Sequence, residues 1–79
     1  MEKSQHSAAY KRLVEVLKAA REKARLTQEQ AAERLKAYPT FFSKVETLER
    51  CIDVVELVQI CKVLRVEPIE AMREARLIK

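Results

Sequence analysis

Three residues near the middle of the chain, Thr40, Phe41 and Lys44, carry side chains whose chemistry suits the edges of nucleic-acid bases. A threonine hydroxyl can reach several base edges, an aromatic ring can contact a thymine methyl group, and a lysine ammonium can donate to guanine or phosphate. Phe42 follows directly, and neighbouring residues of a helix point about 100° apart. With Phe42 facing the core, we expect Phe41 to face solvent or DNA. Packing of Phe41 against the turn, or at a protein interface, is the alternative.

The segment that holds these residues has the pattern of two short helices that cross. Its small and apolar residues fall at the positions where crossing helices touch: Ala31, Ala32, Leu35, Ala37, Phe42 and Val45. Such spacing is typical of a helix-turn-helix, in which the first helix braces a second one that lies in the major groove of DNA. The sequence therefore predicts this unit over residues 27–46, and a nucleic acid as its partner.

Local signals predict five helices and no strand. Capping residues precede the first, second and fourth helices; they are Ser7, the pair Thr27 and Gln30, and the pair Asp53 and Glu56. Pro39 and Pro68 suit the first position of the third and fifth helices, because proline lacks an amide hydrogen and has a fixed φ. The fourth helix, 54–64, has only a narrow polar stripe, so we expect it at the centre of the core.

Glycine is absent from the whole chain. Helices commonly end on a glycine with positive φ, which other residues adopt at a cost. We therefore expect either strained turns with left-handed residues, or turns that avoid left-handed geometry, near Arg25, Lys36 and Leu48.

Length and charge suggest a small domain that gains from self-association. With 79 residues the chain makes one domain, predicted as a flexible N-terminus over residues 1–6 and a folded unit over residues 7–79. A domain of this size buries only about 60% of its unfolded surface, so a dimer would help it. The net charge of +4 comes entirely from residues 1–26, and the remainder is balanced. This charge permits DNA binding without demonstrating it.

Other classes of protein are disfavoured. The chain has no paired nucleophile and base, no glycine loop for phosphate and no metal-ligand cluster, so we expect neither an enzyme, a metal nor a cofactor. Cys51, Cys61 and the single His6 fit no zinc motif or disulfide framework, and reduced thiols are expected. No apolar run is long enough for a membrane span, and no signal peptide is evident. We therefore expect a cytoplasmic protein without membrane contact.

Several segments together resemble a known family, the DNA-binding domains of the lambda repressor and Cro type, also called the XRE family. They are LTQEQAAERL at 26–35, SKVE at 43–46, ERCIDVVEL at 49–57 and KVLRVEP at 62–68. The resemblance covers about Leu13 to Met72 and implies a compact all-α, five-helix lambda-repressor-like domain. It also implies a bacterial or phage-encoded protein that binds double-stranded DNA operators as a homodimer.

The resemblance assigns roles to individual residues. The base-contacting positions correspond to Pro39, Thr40, Phe41 and Lys44, and the DNA backbone-contacting positions to Gln28, Ser43 and Arg50. In relatives, the glutamine at the position of Gln28 also braces the reading helix. Arg21 and Glu46 match a structural ion pair between the first and third helices. The dimer surface corresponds to the fifth helix and the end of the fourth, with Ile69, Met72 and Leu77 available for burial. The alternative is that Ile69 and Met72 close the monomer core.

The sequence departs from the family pattern at a few positions. Relatives usually have glycine where Arg25, Lys36 and Leu48 stand, and many have polar residues in place of Pro39 and Cys51. Proline at the start of the reading helix loses a side-chain contact to a base. Sequence readout is then expected to depend more on Thr40, Phe41 and Lys44.

The favoured hypothesis is a sequence-specific transcriptional regulator that binds an operator as a homodimer, with its third helix in the major groove. The alternative is an antitoxin or other protein-interaction module on the same fold, with a toxin as partner. The near-neutral charge of residues 27–50 and the hydrophobic patch at 39–42 favour that alternative. Phage repressor, restriction-modification controller and antitoxin all remain open.

Overall fold

The structure is a computed structural model that describes residues 7–79. This part of the chain folds into five α-helices without a strand, as the sequence predicted. The helices are α1 (Ala8–Lys23), α2 (Gln28–Leu35), α3 (Phe41–Glu46), α4 (Val54–Leu64) and α5 (Pro68–Glu74). The flexible N-terminus predicted for residues 1–6 lies outside the described residues.

The predicted capping residues begin the helices. The Ser7 hydroxyl accepts a hydrogen bond from the amide of Tyr10 at the start of α1. Reciprocal capping boxes open the two other helices, Thr27 with Gln30 at α2 and Asp53 with Glu56 at α4. Each box satisfies amides that the first helical turn leaves without a partner. These local interactions set where the segments begin, independently of tertiary packing.

All five described helices end with the same hydrogen-bond pattern. A residue with positive φ donates its amide three residues back, and the next residue donates five residues back, which is the arrangement of a Schellman motif. The residues with positive φ are Arg25, Lys36, Leu48, Arg65 and Arg76, with φ between 59° and 68°. Of the two kinds of turn expected at the first three positions, the structure has the left-handed kind. Two further ones occur at arginines that the sequence analysis did not single out.

The core lies between all five helices. Ala31 and Ala32 are completely buried, and their small side chains let α2 approach its neighbours closely. The other buried members of the cluster are Leu13, Leu17, Leu26, Phe41, Phe42, Val45, Leu57, Ile60, Cys61, Leu64, Ala71 and Ala75. Arg12 also connects the first and last parts of the fold, since its Nε donates to the Ala75 carbonyl at 2.7 Å.

The expectation that α4 lies at the centre of the core is confirmed for one side of the helix only. One side of α4 is buried, but Val54, Val55 and Val58 are 71%, 61% and 51% exposed. Helix α4 packs against α1, α2 and α5 through the side that carries Leu57, Ile60, Cys61 and Leu64. The polar stripe was a poor guide because it marked only part of the solvent-facing arc.

Two predicted boundaries also differ from the structure. Pro39 and Thr40 form a turn, and α3 begins at Phe41, whose amide donates to the Tyr38 carbonyl at 3.0 Å. Helix α5 ends at Glu74, so Leu77 lies beyond it rather than on its side. The Leu77 amide closes the helix end through the Met72 carbonyl at 2.8 Å.

Candidate nucleic-acid interface

Helix α3 divides into a buried side and an exposed side. Phe42 and Val45 are each only 2% exposed and hold the helix against the core. Thr40, at the N-cap, and Lys44, in the last turn, are both exposed, and so is Pro39 in the preceding turn. The hydroxyl and ammonium groups predicted to read DNA are therefore accessible, and they project from a helix whose opposite side is fixed.

The prediction that Phe41 faces outward to contact bases is wrong. Phe41 is 3% exposed and packs edge-on against Phe42, with ring centroids 5.4 Å apart. The argument from a 100° separation failed because Phe41 starts the helix, where other chain segments can cover it. Tyr38 and Arg50 both lie against its ring. An aromatic at this position therefore supports the exposed residues rather than joining them.

Tyr38 is an exposed aromatic of this surface that the sequence analysis missed. Tyr38 is 44% exposed, and its ring meets Phe41 in a T-shaped contact with centroids 5.7 Å apart. The Lys44 ammonium lies 6.0 Å from the centre of the Tyr38 ring, at the limit of a cation–π contact. An aromatic just before the proline of a predicted turn was the available signal. Helix periodicity gives no signal there, because Tyr38 lies between α2 and α3.

A buried network fixes α3 to the rest of the domain. Arg21 binds Glu46 through two hydrogen bonds, with Nε to Oε2 at 2.8 Å and Nη2 to Oε1 at 3.1 Å. Its third donor reaches the Leu26 carbonyl, and Gln28 donates to Glu46 at 2.9 Å. The side chains of Arg21 and Glu46 are 11% and 6% exposed. The ion pair predicted between α1 and α3 is present, and Gln28 lies where it can brace the helix.

The carboxylate of Glu46 also affects the pKa of its partner. The hydrogen bond from Arg21 to Glu46 is the main cause that raises the pKa of Arg21 above its ordinary value, against the opposing effect of burial. Because arginine stays protonated at any physiological pH, the network is a permanent ionic clamp. No buried side-chain nitrogen or oxygen in residues 7–79 lacks a hydrogen-bond partner.

Arg50, predicted to contact the DNA backbone, is held by neighbouring groups in this structure. Its guanidinium binds the Glu56 carboxylate, with the shortest distance 2.8 Å, and lies 4.8 Å from the centre of the Phe41 ring. This hydrogen bond is the main cause that raises the pKa of Arg50 and lowers the pKa of Glu56. The side chain is 35% exposed, so part of it faces solvent beside the first turn of α3.

The remaining predicted residues lie in different surroundings. Ser43 is half-buried, and its carbonyl accepts the Thr47 hydroxyl at 2.9 Å. Ile69 and Leu77 are 42% and 39% exposed, whereas Met72 packs against the core. The structure thus separates Met72 from the two more exposed members of the predicted dimer surface.

The thiols and carboxylates form no further site in the described residues. Cys51 is half-buried and Cys61 is buried, with no disulfide between them, and burial raises the pKa of the Cys61 thiol. Residues 7–79 contain no group of His, Cys, Asp and Glu side chains that could hold a metal ion. No helix in the same range is long and apolar enough to cross a membrane.

A comparison with known protein families agrees with this geometry. The sequence profile of the helix-turn-helix domain family matches residues 12–75, which is most of the chain. The chain belongs to the helix-turn-helix domain family. This membership confirms the resemblance to the lambda repressor and Cro type, and it indicates DNA binding and a role in transcription regulation. The matched range contains the bracing helix α2, the candidate reading helix α3 and the network that joins them. No curated protein matches the chain.

Proposed function

We propose that this helix-turn-helix domain is a sequence-specific transcriptional regulator that binds an operator as a homodimer, with α3 of each copy in a major groove. Two copies would present their reading helices about 34 Å apart, one turn of DNA. Activity in this proposal is occupancy of the operator. Thr40 and Lys44 would contact base edges, with Pro39 beside them.

The observation that carries the proposal is the two-sided character of α3. Its apolar residues are buried, Lys44 and the N-cap residue Thr40 are exposed, and the ionic clamp of Arg21 and Glu46 fixes its C-terminal end. A rigid helix costs less ordering entropy on binding, which favours a defined set of base contacts. Gln28, Ser43 and Arg50 are proposed to touch the sugar-phosphate backbone and set the register. Arg50 would then bind a DNA phosphate and the Glu56 carboxylate at the same time.

Selection from a pool of randomised duplexes tests the proposal directly. We expect recovery of an inverted repeat whose half-site centres are about 10 base pairs apart. Recovery of a single half-site would retain DNA reading but remove the dimer. Failure to enrich any sequence at low salt would contradict the proposed function.

Substitutions on the selected duplex test the reading surface. Thr40→Ala and Lys44→Ala are each expected to weaken binding by about 1–3 kcal/mol if they meet bases, with unchanged helical content by circular dichroism. Unchanged affinity in both variants would remove this surface from the account.

A protein-interaction module is the second candidate, and the exposed valines of α4 favour it. Three large apolar side chains on one helix are a common mark of a protein contact. An antitoxin whose main partner is a toxin would fit both this surface and the near-neutral charge of residues 27–50. Weak duplex binding that hardly changes with salt would favour this candidate, because neutralising several phosphates makes binding strongly salt-dependent.

A further inference from the structure

The first two turns of α4 expose an apolar surface that the monomer does not use. Val54, Val55 and Val58 are between 51% and 71% exposed, the highest values among the large apolar residues of the described chain. Valine also disfavours the helical conformation relative to alanine or charged residues. The isolated subunit therefore gains little from these side chains, either by burial or by helix formation.

The outward side of α1 shows what a solvent-facing helix in this protein otherwise looks like. Its exposed positions include Lys11, Glu15 and Glu22, which are all charged. On α4, the exposed residues Val54, Val55 and Val58 are followed one turn later by the exposed Lys62. We call these four residues the α4 arc. This difference within one small domain marks the α4 arc as a surface that is covered in the functional state.

The arrangement of the arc fits a second copy of the same chain. At 100° per residue, Val54, Val58, Lys62 and Val55 fall within an arc of roughly 100°. If two α4 helices pair antiparallel about a two-fold axis at Val58, each Val58 meets its own copy. Val54 then lies opposite Lys62 of the second copy. The arc is thus self-complementary in the way that a two-fold interface requires.

Charge complementarity supports the same arrangement. Asp53 is exposed at the N-terminal end of the arc, and Lys62 is exposed at the other end. Neither forms an ion pair with another residue among 7–79. In the antiparallel pair the aliphatic stem of each Lys62 covers a valine, and its ammonium reaches towards Asp53 of the second copy. Two symmetric charge pairs then flank the valines.

The N-terminal end of the arc lies close to the start of the candidate reading helix α3. Arg50 connects the start of α4 to the start of α3, because its guanidinium contacts both Glu56 and the Phe41 ring. The other exposed apolar residues, Ile69 and Leu77, are less exposed and lie on and beyond α5.

We propose that the α4 arc of Val54, Val55, Val58 and Lys62 is the homodimer interface, formed by antiparallel pairing of α4 with α4 of a second copy. This deepens the proposed function, which rests on a two-fold dimer. Standard interfaces bury about 800 Å² per partner, and three valines with a lysine stem supply less. The dimer is therefore weak in the absence of DNA, with a micromolar or weaker Kd, and operator binding strengthens it.

Sedimentation and cross-linking of the full chain without DNA test the interface. We expect a concentration-dependent monomer–dimer equilibrium that Val58→Asp weakens at least tenfold, while the matched variant Ile69→Asp leaves it unchanged. Val58→Cys is expected to form a disulfide-linked dimer under mild oxidation, because the two-fold axis brings the paired side chains together. Ile69→Cys and the unsubstituted chain serve as controls for cross-linking.

Each outcome separates this interface from DNA reading. A chain that stays monomeric up to millimolar concentration, or that cross-links through Ile69→Cys instead of Val58→Cys, overturns the α4 interface. Circular dichroism of Val58→Asp checks that the fold is intact, and Val58→Cys gives an independent reading if that variant unfolds. Binding of a single half-site by monomeric Val58→Asp would show that DNA reading survives without the interface. If the unsubstituted chain dimerises but binds no duplex, the proposed function is contradicted and the α4 interface is not.

Discussion

Helices α3 and α4 use their apolar residues in opposite ways. The six-residue α3 buries all three of its apolar side chains and exposes a threonine cap and a lysine. The eleven-residue α4 buries one side fully and still leaves three valines in solvent. A helix of less than two turns cannot hold itself in place, so its packing must do so. The longer helix has more apolar residues than the monomer buries, and the exposed ones are available to a partner.

The largest expected contrast comes from truncating one apolar residue in each helix. Phe41→Ala should lower the free energy of unfolding by about 3–5 kcal/mol, because it removes a buried ring that also supports Tyr38 and Arg50. Val58→Ala should change it by less than about 0.5 kcal/mol in the dilute monomer. Urea denaturation followed by circular dichroism measures both. Similar losses in the two variants would break the comparison.

The second contrast concerns the ion pair that holds α3. Arg21→Met should destabilise the domain by about 3 kcal/mol, because it leaves the Glu46 carboxylate buried without its cation. Arg73→Met removes the exposed partner of Glu70 in α5 and should cost less than about 1 kcal/mol. Denaturation at neutral pH compares the two. A loss for Arg21→Met as small as that of its control would mean that α3 is held by apolar contacts alone.

Acidification should affect the start of α4 through Glu56. The Arg50 guanidinium and the Asp53 amide lower the pKa of this carboxyl below its ordinary value of about 4.5. Its contribution to stability is therefore present above that pH and is lost as pH falls through the lowered pKa. Glu56→Gln should make the fall in stability below pH 4.5 less steep, by less than about 1 kcal/mol in all. Glu70→Gln, on the exposed ion pair, is the control, and identical pH profiles for all three proteins would refute this role.

The smallest effects should be gains at the left-handed helix ends. Lys36 after α2 and Arg65 after α4 have φ of 61° and 59°, which glycine adopts without steric cost. Lys36→Gly and Arg65→Gly should each raise the free energy of unfolding by about 0.5–1 kcal/mol, so the ends of α2 and α4 do not differ in this respect. Lys62→Gly, inside α4, should instead lower it by about 1 kcal/mol. Thermal denaturation separates the gains from the loss, and a loss at both left-handed sites would contradict the argument.

Local chemistry made the helix boundaries predictable. The Thr27–Gln30 and Asp53–Glu56 capping boxes depend on residues three apart, and the absence of glycine pointed to an unusual turn near Lys36. These features need no knowledge of the tertiary structure. For this reason the order of the helices and most of their ends follow from the sequence.

Features that depend on distant segments were not predictable in the same way. Phe41 is buried because Tyr38 and Arg50 cover it, and helix periodicity contains no information about either. The exposure of Val58 likewise depends on which side of α4 the other helices cover. The Arg21–Glu46 pair was predicted only through the family resemblance, which supplies the tertiary contact that periodicity lacks.

The most direct test of the proposed DNA-reading role compares two lysines on the duplex recovered by selection. Lys44 lies on α3, whereas Lys23 lines a groove of about 710 Å³ to which α3 contributes no residue. Equilibrium binding over a range of salt concentrations should show at least a tenfold loss of affinity for Lys44→Ala and almost none for Lys23→Ala. Equal affinities of the two variants would contradict the assignment of α3 as the reading helix.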